Sequence, residues 1–235
     1  MIKLFEENSY LKEFESRIKN IDKEKQLIEI EKTAFYGKGG GQPGDIGRLI
    51  INSKSIKVIE TIKKENIILH HVNTIENMEI GGSVIGKINW KKRYKYMKMH
   101  TALHLLCAVI PLGVTGGQIG EEKSRLDFNG NANSINKEEV QEKLNDILKN
   151  NHEITYNWIE SKELEKKPEL IRTMSVKPPK INGKIRLVKI GSIDLQPCGG
   201  THVRSTSEIE SINVGKIENK GKMNRRINIS LSSSD

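Results

Sequence analysis

The amino-acid sequence predicts an α+β protein with two domains, a small N-terminal β-barrel over residues 1–89 and a mixed domain of helices and strands over residues 90–235. Short, isoleucine-rich and partly alternating segments, separated by Gly, Asn and Ser, fill the first domain and are typical of a β-meander or small barrel. At Trp90 the spacing of apolar residues changes from the period of a strand to that of a helix. Strand patterns return after about Lys180.

Five segments predict the strands of the barrel, and a glycine-rich connection lies between the first two. The strand segments are QLIEIEKTAF, GRLIINSK, SIKVIETIKK, NIILHHV and SVIGKINW. The connection belongs to the longer segment TAFYGKGGGQPGDIG. Because so many of its positions lack a Cβ atom, its backbone can approach another group closely.

Two helices and several late strands are predicted for the second domain. The segment KKRYKYMKMHTALHLLCAVIPLG has helical spacing with a basic start, and it ends at Pro111 and Gly113, so it predicts a buried helix. Asn136 is expected to cap a second helix, with Glu139 at the reciprocal capping position. The later strands are predicted in KIRLVKIGSIDL, SINVGKIEN and NRRINISLS, with the turn QPCGGTH after the first of them.

The charge balance favours a polyanionic partner. Lys and Arg number 39 against 30 Asp and Glu, which gives a formal net charge of +9 and a pI near 9.4. An excess of this sign suits nucleic acid better than an acidic partner. The same composition also fits a solvated, lysine-rich surface without a nucleic-acid partner, and composition by itself does not separate the two.

Cysteine usage and hydropathy indicate a cytoplasmic protein. The two cysteines, Cys107 and Cys198, show no disulfide spacing, which fits a reducing compartment. The opening MIKLFEENSYLKEF has early acidic residues and lacks the apolar region of a signal peptide. The longest uninterrupted apolar stretch, Leu105 to Leu112, is far too short to span a bilayer.

Two pairs of potential metal ligands stand out. His100 and His104 lie four residues apart, so on a helix their side chains project from one face and could chelate one ion. Cys198 and His202 form a second pair, CGGTH, in a tight turn. Either pair alone is weak evidence, since a histidine pair in an apolar helix is commonly structural. Together they supply the soft and borderline ligands that suit zinc.

Other metal-ligating residue types receive no role. Cys107 follows His104 by three residues and lies near the same helix face, but we interpret it as a core residue because free cysteine packs as a small hydrophobe. His70, His71 and His152 have no suitable partner nearby in sequence and are expected in strands or on the surface.

Four protein ligands would make a closed structural site, whereas hydrolysis requires an open position.

Five segments carry a resemblance to a known family. They are FYGKGGGQPGDIG, MHTALHLL, GGQIGEEKSRLDF, SIDLQPCGGTHV and ENKGKMNRRI, in this order. The set closely resembles the editing region of alanyl-tRNA synthetase. Paired HxxxH and CxxxH motifs are also similar to the threonyl-tRNA synthetase editing domain, but GGGQPGD is specific to the alanine branch. The chain is therefore similar to the free-standing alanyl-tRNA editing proteins (the AlaX group), in the form with an N-terminal barrel.

The resemblance implies an α/β-sandwich editing domain whose buried helix bears a metal, and a zinc-dependent activity. Such a protein hydrolyses the ester of mischarged tRNA(Ala), chiefly seryl-tRNA and also glycyl-tRNA, as a separate deacylase acting in trans. The zinc ligands implied are His100, His104, Cys198 and His202. The same resemblance places Gln42 near the aminoacyl group.

Further contacts are expected around this chemistry. Gln42 is the preferred residue for recognising the serine hydroxyl, because its amide both donates and accepts, and Thr101 beside the first ligand is the alternative. Gly40 and Gly41, next to Gln42, are included among the substrate-binding residues. Asp127 could orient a ligand histidine, although a strand-surface role is the simpler interpretation.

Two basic clusters are candidates for gripping tRNA phosphates, although each also fits a solvated surface. Their members are Lys91, Lys92, Arg93, Lys220, Lys222, Arg225 and Arg226. Two rival functions stay open at this point. One is a non-catalytic, zinc-stabilised RNA-binding module, and the other is editing of threonyl-tRNA.

Overall fold

The computed structural model describes residues 1–131, 135–174 and 183–232. The chain divides into two compact units, Met1–Tyr94 and Lys95–Asp235. The division falls within the first turns of helix α1 (Trp90–Val109), a few residues after the boundary expected near residue 89. Within the described part of the chain, no helix combines the length and the apolar character needed to cross a membrane.

The first unit is built around a closed six-stranded barrel. The strands of the whole unit are β1 (Ile2–Lys3), β2 (Glu13–Asp22), β3 (Leu27–Ile30), β4 (Lys32–Thr33), β5 (Gly47–Ile51), β6 (Lys54–Lys64), β7 (Ile67–Val72) and β8 (Ser83–Ile88), with a short 3₁₀ turn at Leu4–Glu6. The barrel has the strand order β2-β3-β7-β6-β5-β8, and β8 closes it by pairing with β2. Strands β1 and β4 form a separate parallel pair.

The barrel closes because its strands alternate apolar and polar residues. In β2 the buried positions Phe14, Ser16 and Ile18 alternate with exposed, mostly charged ones, so one face fills the interior and the other meets water. Aliphatic side chains such as Leu49 and Val58 pack with Phe14 in the barrel core. Closure also leaves none of the six strands with an unpaired edge.

His70 on β7 is buried inside this unit as a neutral residue. Its Nδ1 lies 3.1 Å from the Ile28 carbonyl oxygen and its Nε2 lies 2.9 Å from the Thr33 hydroxyl oxygen. With the proton on Nδ1, the ring donates to Ile28 and accepts from Thr33, so both nitrogens are satisfied without a charge. Burial lowers the pKa of His70 to about 4, against a smaller opposing effect of the Ile28 carbonyl. His70 therefore has a structural place in the barrel.

The second unit combines two antiparallel sheets with helices. Its elements are β9 (Val114–Gln118), β10 (Lys123–Asn129), α2 (Lys137–Leu148), β11 (Ile154–Glu160), α3 (Ser161–Glu165), β12 (Lys184–Ile190), β13 (Asp194–Pro197), β14 (Ile212–Asn219) and β15 (Asn224–Leu231), with 3₁₀ turns at Pro168–Leu170 and Thr206–Glu208. One sheet has the order β14-β15-β10-β9 and the other has the order β11-β12-β13.

Helix α1 supplies the central buried segment of the second unit. Every residue from Met99 to Cys107 is buried, so this segment of the helix is enclosed by protein on all sides. At the start of α2, Asn136 accepts a hydrogen bond of 3.1 Å from the backbone N–H of Glu139, which confirms the predicted N-cap. The Glu139 carboxylate accepts a hydrogen bond from Lys143.

The predicted α+β class, with an N-terminal barrel and a buried helix, is confirmed by this architecture. Each of the five barrel segments contains a strand, and so does each of the late segments. Strands β1, β2, β9 and β11 have no counterpart among the predicted segments. The β9 sequence VTGGQ contains two glycines and no alternation, so its strand pairing with β10 depends on the tertiary fold.

Candidate metal centre

Four side chains from two distant parts of the second unit converge on one point. His100 and His104 project from the buried face of α1, and Cys198 and His202 lie in the turn that follows β13. The potential ligand atoms of these four residues all lie within 4.8 Å of one another. The sequence separates the pairs by about ninety residues, and the fold brings them together.

The cluster is shielded from solvent on the histidine side. His100, His104 and His202 expose 7%, 6% and 0% of their surface, whereas Cys198 is only half-buried. The His100 and His202 rings lie with their centroids 4.2 Å apart, and the His104 and His202 rings lie 4.5 Å apart. Solvent or a substrate group can therefore approach most easily beside the cysteine.

Hydrogen bonds on the far side of two rings fix which nitrogen faces the cluster. Nδ1 of His104 lies 2.9 Å from Oδ2 of Asp194, and Nδ1 of His202 lies 3.1 Å from the Thr101 hydroxyl oxygen. With the protons on these Nδ1 atoms, the Nε2 lone pairs are left for the cluster. A histidine that binds a metal commonly donates its other N–H to a carboxylate or hydroxyl in this way.

The spacing of the donor atoms fits a tetrahedral zinc ion. The Cys198 Sγ atom lies 3.5 Å from Nε2 of His100 and 3.4 Å from Nε2 of His202. Zinc bond lengths of about 2.3 Å to sulfur and 2.0–2.1 Å to nitrogen place the two donors roughly 3.6 Å apart in a tetrahedron. One thiolate and three imidazoles also form the borderline-soft ligand set that zinc prefers.

The electrostatics of the cluster favour the ligand form of the cysteine. Burial alone would raise the pKa of the Cys198 thiol, but His100 and His202 beside it lower that pKa well below its ordinary value. Burial and the neighbouring histidines His100 and His104 lower the pKa of His202 well below its ordinary value. Burial alone would also lower the pKa of His104, but hydrogen bonds to the Asp194 carboxylate and the Cys198 thiolate raise it to about 10.

A buried arginine braces the turn that carries the second ligand pair. Arg186 on β12 exposes only 2% of its surface, and its Nη1 donates to the carbonyl oxygens of Cys198 at 3.1 Å and Gly200 at 2.7 Å. Its guanidinium carbon lies 3.9 Å from the centre of the Tyr156 ring. The backbone N–H of Gly200 in turn donates to the Cys198 sulfur at 3.4 Å. These contacts hold Cys198 in place.

Comparison with known proteins identifies the family. The family model described as tRNA synthetases class II (A) matches residues 3–92, and the one described as threonyl and alanyl tRNA synthetase second additional domain matches residues 185–228. The alanyl-tRNA editing protein AlaX-M of Methanosarcina mazei is 35% identical over 94% of this chain and 93% of its own length. AlaX-M of Saccharolobus solfataricus is 36% identical over 95% and 96%. The chain belongs to the alanyl-tRNA editing protein family.

The same comparison explains the resemblance to the synthetase. The alanine–tRNA ligase of Thermococcus kodakarensis is 31% identical over 92% of this chain, which corresponds to 24% of the ligase. The chain thus matches one region of that much longer enzyme, whereas it matches the AlaX-M proteins over nearly their whole length. The resemblance expected from the five sequence segments is confirmed.

In the first unit, the glycine-rich segment forms a tight turn. Gly39 and Gln42 exchange backbone hydrogen bonds of 2.9 and 3.1 Å, and Gly40 and Gly41 between them have φ angles of +56° and +80°. Two successive positive φ angles are typical of a type I′ hairpin turn and require glycine. Gly40 and Gly41 are exposed, whereas Gln42 is 1% exposed.

Thr101 and Asp127 have contacts other than those expected. The Thr101 hydroxyl pairs with His202 and also accepts from the backbone N–H of Val203 at 3.4 Å, so it orients a ligand. Asp127 accepts hydrogen bonds from Arg226 at 2.8 and 3.0 Å and from Arg125 at 2.6 Å. The carboxylate beside a histidine of the cluster is Asp194, whereas Asp127 pairs with two arginines.

Two arginines of the basic clusters are interior residues. Arg93 is fully buried and forms an ion pair with Asp45, and it also donates to the carbonyl oxygen of Ser9 at 3.0 Å. Arg225 is 4% exposed and donates to the carbonyl oxygens of Gly221 and Lys222. Burial and intramolecular partners favour a structural role for both guanidinium groups over a contact with tRNA phosphate.

The remaining cluster members lie nearer the surface. Lys91, Lys220 and Lys222 are exposed, and Lys92 is half-buried. Lys220 forms an ion pair of 2.7 Å with Glu218, and Arg226 pairs with Asp127. The Lys220 and Glu218 side chains are partly exposed, and an ion pair of this kind contributes little stability.

Cys107 lies outside the cluster, in agreement with its interpretation as a core residue. It exposes 6% of its surface, and burial raises the pKa of its thiol to about 12. A neutral thiol of this kind packs as a hydrophobe. Three residues of the site, Asp194, Gln196 and Arg186, were absent from the sequence-based set. The segment SIDLQPCGG contained a usable signal for the first two, because polar residues alternate along the strand that leads to Cys198.

Proposed function

We propose that this protein hydrolyses the ester of mischarged tRNA(Ala), removing chiefly serine and also glycine, with zinc as its cofactor. The observation that carries the proposal is the convergence of His100, His104, Cys198 and His202 within 4.8 Å. Family membership also supports the proposal, because the AlaX-M members of the family are named alanyl-tRNA editing proteins.

Zinc is supported by the donor set and its spacing. Bound zinc would supply one of three kinds of chemistry, namely activation of a water molecule, polarisation of the ester carbonyl or anchoring of the amino acid. The protein's contribution is to prepare the donors: Asp194 holds the proton of His104 on Nδ1, and Thr101 does the same for His202. Hydrolysis further requires a position beyond four protein donors, through release of one donor or an expanded coordination number.

Selectivity follows from the serine hydroxyl. A synthetase pocket that is shaped for alanine cannot strongly exclude serine or glycine. A second, hydrolytic site must therefore remove these two amino acids and spare alanine. A buried polar group that pairs with the serine hydroxyl would be left unpaired by alanine. Gln42 is proposed to recognise the hydroxyl, because its side-chain amide can both donate and accept a hydrogen bond.

The tRNA body is proposed to contact the lysines that remain accessible. Replacing Lys220 and Lys222 by Ala is expected to weaken tRNA binding and to flatten its dependence on salt, because fewer counterions are released on binding. Replacing Glu138 by Gln, on the exposed first turn of α2, provides a surface control. A salt series with unchanged affinity and slope for the lysine variant would identify these lysines as solvated surface.

The deciding experiment is deacylation of tRNA(Ala) charged with serine, glycine or alanine, with tRNA(Thr) charged with serine as a comparison. We expect hydrolysis of the seryl and glycyl forms of tRNA(Ala), little hydrolysis of the alanyl form, loss of activity with a chelator and recovery with zinc. Tight tRNA binding without turnover of any substrate would instead establish a zinc-stabilised RNA-binding module. Preferential hydrolysis of charged tRNA(Thr) would move the protein to the threonine branch.

A further inference from the structure

We propose that the indole of Trp158 stacks on the terminal adenine base of the charged tRNA. This inference rests on the proposed function and adds a binding residue to it. Trp158 lies on β11, the edge strand of the three-stranded sheet that carries Cys198. Despite its large apolar side chain it is 38% exposed.

Strand register places Trp158 and Cys198 on one face of the sheet. Trp158 pairs directly with Arg186 on β12. The backbone N–H of Cys198 donates to the Arg186 carbonyl oxygen at 3.1 Å, which continues the register beyond the Leu187 and Pro197 pair. Directly paired residues of antiparallel strands project from the same face. Trp158, Arg186 and Cys198 therefore form one row across the sheet.

The row leads from Cys198 to the exposed edge of the sheet. Two strand spacings separate the first and last members, which is about 9–10 Å at the backbone. The ester that would be cleaved joins the amino acid to the ribose of the terminal adenosine, so a base lies one ribose away from the reacting carbonyl. With that carbonyl beside the half-buried Cys198, the base would pass over the covered Arg186 and reach the exposed edge of the sheet at Trp158.

The middle of the row is buried and its outer end is accessible. Arg186 contacts the Tyr156 ring and the carbonyl oxygens of Cys198 and Gly200, so it ties the turn that carries Cys198 to the central strand of the sheet. An exposed aromatic ring is the common means by which proteins bind unpaired bases, because every base has a face that can stack. The geometry thus offers the base an exposed stacking partner on the sheet that leads to Cys198.

Steady-state deacylation of seryl-tRNA(Ala) tests the proposal. Loss of one base stack is expected to raise KM roughly tenfold in Trp158→Ala, with kcat nearly unchanged because stacking stabilises the bound substrate and the transition state alike. Trp158→Phe keeps an aromatic face and is expected to retain most of the binding. Trp90→Phe, which changes the only other tryptophan, is the matched control and is expected to behave as the wild type.

A direct binding measurement separates stacking from a structural effect. In the Trp90→Phe variant, Trp158 is the single tryptophan, so the tryptophan fluorescence reports on Trp158 alone. The probe is adenosine that carries serine through a 3′ amide bond, which resists hydrolysis. Saturable quenching by this probe, and none by the analogue that lacks the base, supports stacking. Absence of quenching, or an unchanged KM in Trp158→Ala, overturns it. Failure of the wild type to hydrolyse seryl-tRNA(Ala) would instead overturn the proposed function, while the quenching measurement would still test base stacking.

Discussion

Removal of the Asp194 carboxylate is expected to weaken metal binding through His104, although Asp194 is not itself a proposed ligand. Oδ2 of Asp194 lies 2.9 Å from Nδ1 of His104 and accepts a second hydrogen bond of 2.8 Å from Gln196. The Asp194 and His104 side chains are each 7% exposed, so water screens their interaction little. The carboxylate fixes the His104 tautomer and makes the ring a stronger ligand.

The two Asp194 variants are expected to differ in how much metal affinity they lose. Loss of such a carboxylate costs about 10- to 100-fold in metal affinity, which is roughly 1.4–2.7 kcal/mol. Asp194→Ala loses both the hydrogen-bond acceptor and the charge, so it is expected near the upper limit. Asp194→Asn keeps an acceptor oxygen and loses only the charge, so it is expected near the lower limit.

Competition with a chromophoric chelator measures the zinc dissociation constant of each purified variant, and circular dichroism verifies that it is folded. Asp127→Asn is the matched control, because Asp127 is also a shielded carboxylate but contacts Arg125 and Arg226 instead of a ligand. Its metal affinity is expected to equal that of the wild type. A folded Asp194→Ala protein that binds zinc as tightly as the wild type would refute the reasoning, as would an equal loss in Asp127→Asn.

Three further predictions address the cysteines, selectivity and acid stability. Cys198→Ala is expected to lose bound zinc and nearly all activity while Cys107→Ala keeps both, and metal analysis showing full zinc in Cys198→Ala would contradict the ligand assignment. Gln42→Ala should reduce single-turnover hydrolysis of seryl-tRNA several-fold more than that of glycyl-tRNA, since a lost hydrogen bond costs on the order of 1 kcal/mol and glycine has no hydroxyl; equal losses would show that Gln42 only braces its turn. Because the pKa of His70 is lowered to about 4, the unfolded chain binds more protons between pH 4 and about 6.5, and the unfolding free energy should fall by up to about 3 kcal/mol as the pH drops through that window. Urea unfolding across this range should show that component in the wild type and not in His70→Gln, and identical pH profiles would exclude it.

The sequence by itself determined the class of fold, the buried helix and the family. Those properties depend on local patterns, because alternation in segments such as SIKVIETIKK predicts strands and continuous apolar spacing around His100 and His104 predicts an internal helix. The family followed from five short segments in a fixed order, and the two ligand pairs each lie within five consecutive residues. Information of this kind can be read without knowing which distant residues meet.

Only the tertiary structure decided which polar residues serve the metal centre and which serve the core. Asp194 contacts His104 across ninety residues of sequence, and Asp127 instead meets Arg226 on the neighbouring strand β15. Arg93 has a basic sequence context that resembles a phosphate-binding surface, yet it turns inward to Asp45 in the other half of its unit. A charged side chain can be buried only where a partner is available, and that partner is set by long-range packing that no local pattern records.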